Sequence, residues 1–160
     1  MDLAEALRSS LGFEVVRTER LAGGCVGDVV AVTSADGAKL VAKLDPSGSS
    51  GLEVEARMLR DLAAVKAPAP RVRLARPGLL VMGFVEGRTG ARGKAEEHLA
   101  DVLADLHAAP LADARFGYDY DTRIGGLVQP NPRSSHWLPF FAEHRLVHMA
   151  REARNVGRLT

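Results

Sequence analysis

Cysteine is almost missing: Cys25 is the only one in 160 residues. No internal disulfide can form, and no multi-cysteine metal centre is available. An excess of one charge is missing as well, with 21 Lys and Arg against 20 Asp and Glu. That balance excludes the broad basic field used for nucleic-acid or anionic-membrane binding, so neither a nucleic acid nor a membrane is an expected partner. No apolar run reaches membrane-spanning length, and the opening MDLAEALRSS carries Asp2 and Glu5 where a secretory signal has a basic flank. A cytoplasmic location is the expectation. Internal repeats and low-complexity tracts are absent. What is present is an ordinary globular composition, 46% hydrophobic and 26% charged, in a chain long enough for one real core.

Residues 2–10 read as a short helix, with Asp2 and Glu5 at capping-box spacing and Leu3 and Leu7 on one face. Loose alternation from Phe13 to Leu21 is broken by Ala22-Gly23-Gly24-Cys25-Val26-Gly27. β-favouring residues then resume at Val29, Val30, Val32 and Thr33. Asp36-Gly37 is a hairpin signal before a third strand, Ala38 to Leu44. Ser50 and Glu53 make a capping box for a helix to about Lys66, with Leu52, Ala56, Leu59 and Ala63 on its apolar face. Two more strands, Arg71–Arg76 and Leu79–Val85, flank a Pro77-Gly78 turn, and the second should be buried. Residues 88–93 interrupt all periodicity and read as a linker between a first lobe, 1–87, and a helical second part, 94–160. There, Leu99, Val102, Leu103 and Leu106 mark one helix, 94–109. Trp137, Phe140, Phe141, Leu146 and Met149 mark another, 135–154, beyond a long loop.

The glycine loop is the first chemical candidate. Gly23, Gly24 and Gly27 free backbone amides to approach an anion, and phosphate is the natural occupant. A dinucleotide-binding loop must lead into a helix and a Walker loop needs Gly-Lys-Ser or Gly-Lys-Thr; neither condition is met. A loop between antiparallel strands is the protein-kinase arrangement, although a plain hairpin loop has the same composition. Lys43, on the third strand in LVAKL, can reach phosphates beneath it, where a bare strand lysine is commonly a solvated edge residue. Glu55 flanks the inward stripe of the next helix, three residues after Leu52 and four before Leu59, and a carboxylate there wants a cation. Glu53 is the competing partner, better explained by capping.

Met82, Gly83, Phe84 and Val85 suit a strand running into a hinge, with Met82 beside a base and the backbone near Gly83 and Val85 pairing with it. His98, His107, His136, His144 and His148 have no regular metal spacing and read as helix-surface residues. Asp119 and Asp121 read as turn-forming, solvated carboxylates, and Trp137, Phe140 and Phe141 as core.

LAGGCVGDV, LVAKLD, EVEARMLRDLAAVKAPAPRV, LLVMGFVEGR, LADVLADLHA and FGYDYDTRIGGLVQPNPRSSHWLPFFAEHRL resemble successive segments of the fructosamine kinase family, relatives of the aminoglycoside phosphotransferases. The IGGLVQPNPRSSHWLPFFAEHRL stretch is the distinctive one. The resemblance implies an α+β, protein-kinase-like fold: a five-stranded antiparallel N-lobe sheet with one principal helix, then the first helices of an incomplete C-lobe. It also implies ATP and Mg2+ as cofactors and a ketosamine or related amine-sugar as substrate, phosphorylated on a sugar hydroxyl. Carried over by position, it assigns Gly23, Gly24, Cys25 and Gly27 to the phosphate loop, Lys43 and Glu55 to an ion pair, and Met82 to Val85 to adenine. Cys25 is also a redox candidate, its thiol flanked by loop amides. Gly83 departs from the family's usual glutamate and His136 from a commoner acidic or small residue. The family's His-Gly-Asp loop, carrying the catalytic aspartate, is expected outside these residues. Phosphorylation of an aminoglycoside- or choline-like alcohol, and a non-catalytic nucleotide-binding or interaction module, are the alternatives. Self-association through exposed C-lobe apolar surface is a further expectation.

Overall fold

The computed structural model describes residues 2–21, 28–49, 51–87, 92–110 and 113–160, which form two compact units, Met1–Ala109 and Pro110–Thr160. In the first unit, α1 (Leu3–Leu11) starts where Asp2 accepts the Ala4 and Glu5 amides, and stops at Gly12 with φ 64°. Glu5 pairs with Arg8, the hydrogen bond expected of it at the helix start being replaced by an ion pair one turn on. The strands are β1 (Val15–Arg20), β2 (Asp28–Ser34), β3 (Lys39–Leu44), β4 (Val72–Arg76) and β5 (Leu79–Gly83), with α2 (Leu52–Ala64) between β3 and β4. Every pairing is antiparallel and the order is β1-β2-β3-β5-β4. β3 is therefore the central strand.

Alternation along β5 divides the core between the two faces of the sheet. Leu79 and Val81 join Ala6, Leu7, Val30, Val32 and Ala42 on the α1 face. Leu80 and Met82 join Leu52 and Ala56 on the α2 face, with Val41, Leu59 and Val72 packed around them. A strand buried on both faces needs a continuous apolar run, which LLVM supplies. Burial ends there: Val85 is 67% exposed, because the chain leaves the sheet at Gly83. At the opposite end Gly78, φ 74°, lies so close to the Asp45 carbonyl that an added Cβ would stand 2.5 Å from its oxygen.

Helix α2 is capped by Gly51 in the left-handed region, without a side-chain cap. Ser50 lies outside the described residues, and Glu53, two positions past the cap, is exposed. The expected capping box is thus displaced by a glycine start, and Ala63, expected on the apolar face, is exposed. Helix α3 (Lys94–Ala108) opens with the Gly93 amide donating to Glu96, and no residue of it is buried.

In the second unit the loop expected between the helices holds a hairpin, β6 (Thr122–Ile124) and β7 (Leu127–Gln129), turning at Gly125. The final helical run comprises α4 (Trp137–Phe141), a π-helical segment Ala142–Val147, and α5 (His148–Asn155). Of the three aromatics expected in the core only Phe140 is buried; Trp137 and Phe141 cluster at the surface with Phe116.

Asn131, 5% exposed, organises this unit. Its side-chain amide donates to the Tyr120 carbonyl at 3.1 Å and to Thr122 Oγ1 at 3.0 Å, while its Oδ1 accepts from Arg145 Nη2 at 2.5 Å. Its backbone amide donates to Asp121 and its carbonyl accepts from Tyr118. Arg145 also donates to the Pro130 carbonyl and lies 4.7 Å over the Phe140 ring, and burial pushes its guanidinium pKa down. Asp119 pairs with Arg133 at 2.5 Å. Asp119 and Asp121 are exposed, as expected of solvated loop carboxylates, and each also has a definite partner that anchors the loop. Asp113 is pinned by the Arg115 guanidinium, which holds its carboxyl down at about 2.

Candidate nucleotide-binding site

Lys43 sits near the end of the central strand, opposite Val29 of β2 and Leu80 of β5. On any strand a side chain stands over one face of the sheet or the other, and β3, paired on both sides, places Lys43 in the middle of such a face. The parity it shares with Val41 sends it to the α2 face. There its Nζ meets Glu55 Oε1 at 2.5 Å, with side chains 27% and 37% exposed. Helix α2 delivers that carboxylate because Leu52, Ala56 and Leu59 face the sheet and Glu55 flanks them in the first turn, its amide donating to the Gly51 carbonyl. A pair this exposed contributes on the order of 1 kcal/mol or less to stability, so its chemical value lies in orientation. A lysine so held presents its remaining donors in a fixed direction, as an anion-binding group requires.

Residues 22–27 join β1 to β2 at the same end of the sheet. The Leu21 amide donates to the Val29 carbonyl at 2.9 Å, and Arg20 and Asp28 close the base of the connection at 2.7 Å. Gly23, Gly24, Cys25 and Gly27 themselves lie outside the described residues. Val29, at that base, is the β2 partner of Lys43.

The expected base-binding residues divide. The Met82 side chain packs beneath α2 with Leu52 and Ala56. Gly83 has already donated its amide to the Arg71 carbonyl at 2.9 Å. Phe84, Val85, Glu86 and Gly87 line a concavity of about 580 Å³ together with Lys39, a residue sequence reasoning passed over. Its signal was available: Lys39 has the same strand parity as Lys43.

The histidines gather no metal site: among the described residues no group of three His, Cys, Asp or Glu is placed to hold an ion. His98 and His107 are exposed on α3, whereas His148 bonds the Val128 carbonyl at 2.9 Å and His144 lies against Phe140 in a tilted ring contact. The last two are half-buried helix residues that also tie the helical run to β7 and to itself.

A five-stranded antiparallel sheet, a connection between its first two strands, a lysine on the third and a carboxylate on the following helix make up the small lobe of a protein-kinase-like fold. The fructosamine kinase family model matches residues 2–158, and the chain belongs to that family. A probable ketoamine kinase of Synechocystis sp. is 29% identical over 162 residues, covering 95% of this chain and 53% of the relative. The chloroplastic protein-ribulosamine 3-kinase of Arabidopsis thaliana is 28% identical over 149 residues, 89% of this chain and 45% of the relative. The crystal structure of a candidate fructosamine-3-kinase from Thermobifida fusca YX-ER1 superposes with a TM-score of 0.83 at 28% identity, covering 99% of this chain and 56% of the other. The chain thus spans about half the length of the curated relatives it matches.

Proposed function

We propose that this chain is the nucleotide-binding part of an ATP-dependent phosphotransferase that phosphorylates a sugar hydroxyl of a glycated amine, a ketosamine. The observation that carries the proposal is the Lys43–Glu55 pair on the central strand, at the base of the glycine-bearing connection. Relatives named as ketoamine and ribulosamine kinases support the acceptor class. In this reading Lys43 binds the nucleotide phosphates and Glu55 holds it in place, with Gly23 to Gly27 covering the phosphates and the backbone after β5 meeting adenine. A lysine held in this way fits a polyphosphate, and Mg2+ bound with those phosphates would supply charge neutralisation.

Residues 1–87 act as the nucleotide lobe and 88–93 as the hinge into 94–160. A single cysteine fits a reducing, cytoplasmic compartment. The exposed apolar side chains of the second unit, Trp137, Leu138, Phe141 and Leu146, support self-association of this chain.

Thermal denaturation with Mg-ATP tests the central claim. Ligand at 100 times its dissociation constant adds about 2.7 kcal/mol of stability, and a midpoint unmoved by millimolar Mg-ATP would overturn it.

A further inference from the structure

Lys39 opens β3 four residues before Lys43, and strand alternation puts both on one face. At the usual rise their Cα atoms stand about 13 Å apart. Each ammonium is met by a carboxylate from another element, Lys43 by Glu55 of α2 and Lys39 by Glu86, 3.5 Å away and 47 residues on. Lys39 also lies over the Phe84 ring at 5.3 Å from its centroid. Phe84 and Glu86 belong to the segment that leaves the sheet after Gly83, where Leu40 is the β3 partner. One side chain from the central strand therefore grips two residues of the departing segment, and the three line one concavity with Val85 and Gly87.

We propose that Lys39 is a positioning residue for the nucleobase. Its ammonium holds Phe84 and Glu86, and so fixes the path of the backbone from Phe84 to Glu86 beside the start of β3, where its polar groups meet a purine edge. Lys43 serves the phosphate end of the same strand and Lys39 the base end, and the strand between them sets the separation. This rests on the ATP reading above. It goes further in predicting that the two lysines act on different parts of the ligand, although they share a strand, a face and a charge.

The test separates the two ends with two probes, adenosine and inorganic tripolyphosphate, each titrated calorimetrically into the full chain. Lys39→Met keeps the aliphatic stem and removes the charge. A partly exposed cation–π contact and a surface ion pair together set the expected effect at about 3- to 10-fold weaker adenosine binding. Tripolyphosphate affinity and the midpoint of the unliganded protein should stay as in the parent. Lys43→Met should show the opposite pattern. Lys39→Arg, which retains charge and ring stacking, should restore adenosine binding.

Adenosine affinity within twofold of the parent in Lys39→Met overturns the proposal, as does an equal loss for both probes, which marks general distortion. Failure of Lys39→Arg to restore binding also overturns it, since the charge is then not the agent. If the parent binds Mg-ATP and Lys39→Met behaves like it, only this proposal falls. If the parent binds neither Mg-ATP nor adenosine, the ATP reading falls and takes this one with it.

Discussion

At the scale of single residues, an ammonium and a carboxylate, both more shielded than exposed, face each other on the covered side of a central strand. Removing the charge with Lys43→Met takes away the cation and leaves the stem to pack. ATP affinity should fall at least about 10-fold, equal to about 1.4 kcal/mol, while the unliganded midpoint changes little. Glu55→Gln keeps a hydrogen-bond acceptor and should cost less. Calorimetric titration of both variants checks the order. Asn131 behaves differently, because its work is structural. Its amide satisfies Tyr120, Thr122 and Arg145 at once, from a buried position. Asn131→Ala takes one acceptor from a partly buried guanidinium, which keeps the Pro130 carbonyl, and one donor from the Tyr120 carbonyl, and should destabilise the second unit by about 1–3 kcal/mol. Trp137, the chain's single tryptophan, reports that unfolding by fluorescence in urea.

At the scale of elements, the strands and helices were legible wherever local chemistry decides them. The Asp36-Gly37 signal became a hairpin in which Ser34 and Ala38 bond across the turn and Gly37 has φ 83°. β6 and β7 were missed because three-residue strands carry no readable alternation. The π-helical segment was missed because a change of hydrogen-bond partner over six residues leaves no mark in the apolar pattern; it contains Arg145, whose guanidinium reaches Asn131. Close approach of segments is equally invisible to periodicity. Gly117, φ 100°, places a prospective Cβ 2.3 Å from the Pro132 carbonyl oxygen, whereas Gly125, φ 57°, has nothing within 4 Å. Gly117→Ala should therefore destabilise the second unit by more than about 2 kcal/mol, and Gly125→Ala by about 1 kcal/mol, the cost of the left-handed region alone. Equal losses in the same fluorescence assay would contradict the close-approach argument.

At the scale of the whole molecule, large apolar side chains stand in water at both ends of the final helical run. Trp137 is 47% exposed, and Leu138, Leu146 and Val156 more so. Scattered surface leucines are ordinary, but aromatics in mutual contact at 5.2 and 5.3 Å form a continuous patch. Light scattering across a dilution series should show a mass that rises with concentration. Leu138→Glu with Phe141→Lys should hold the chain to monomer mass, and a parent that is monomeric throughout would refute the association.

By itself the sequence determined the order of parts: a glycine connection between strands, a lysine on the third, a carboxylate one helix later, and the IGGLVQPNPRSSHWLPFFAEHRL stretch that marks the family. Each is a matter of residue type at short spacing, and period 2 or 3.6 carries it. Tertiary structure alone decided that β5 inserts between β3 and β4, which makes β3 central and turns Lys43 from a free edge lysine into a held one. It also decided that Lys39 finds Glu86 across 47 residues and that Asn131 meets Arg145. Such contacts come from strand pairing and close packing between distant segments, where the deciding quantity is which backbones lie side by side, and no local pattern records that.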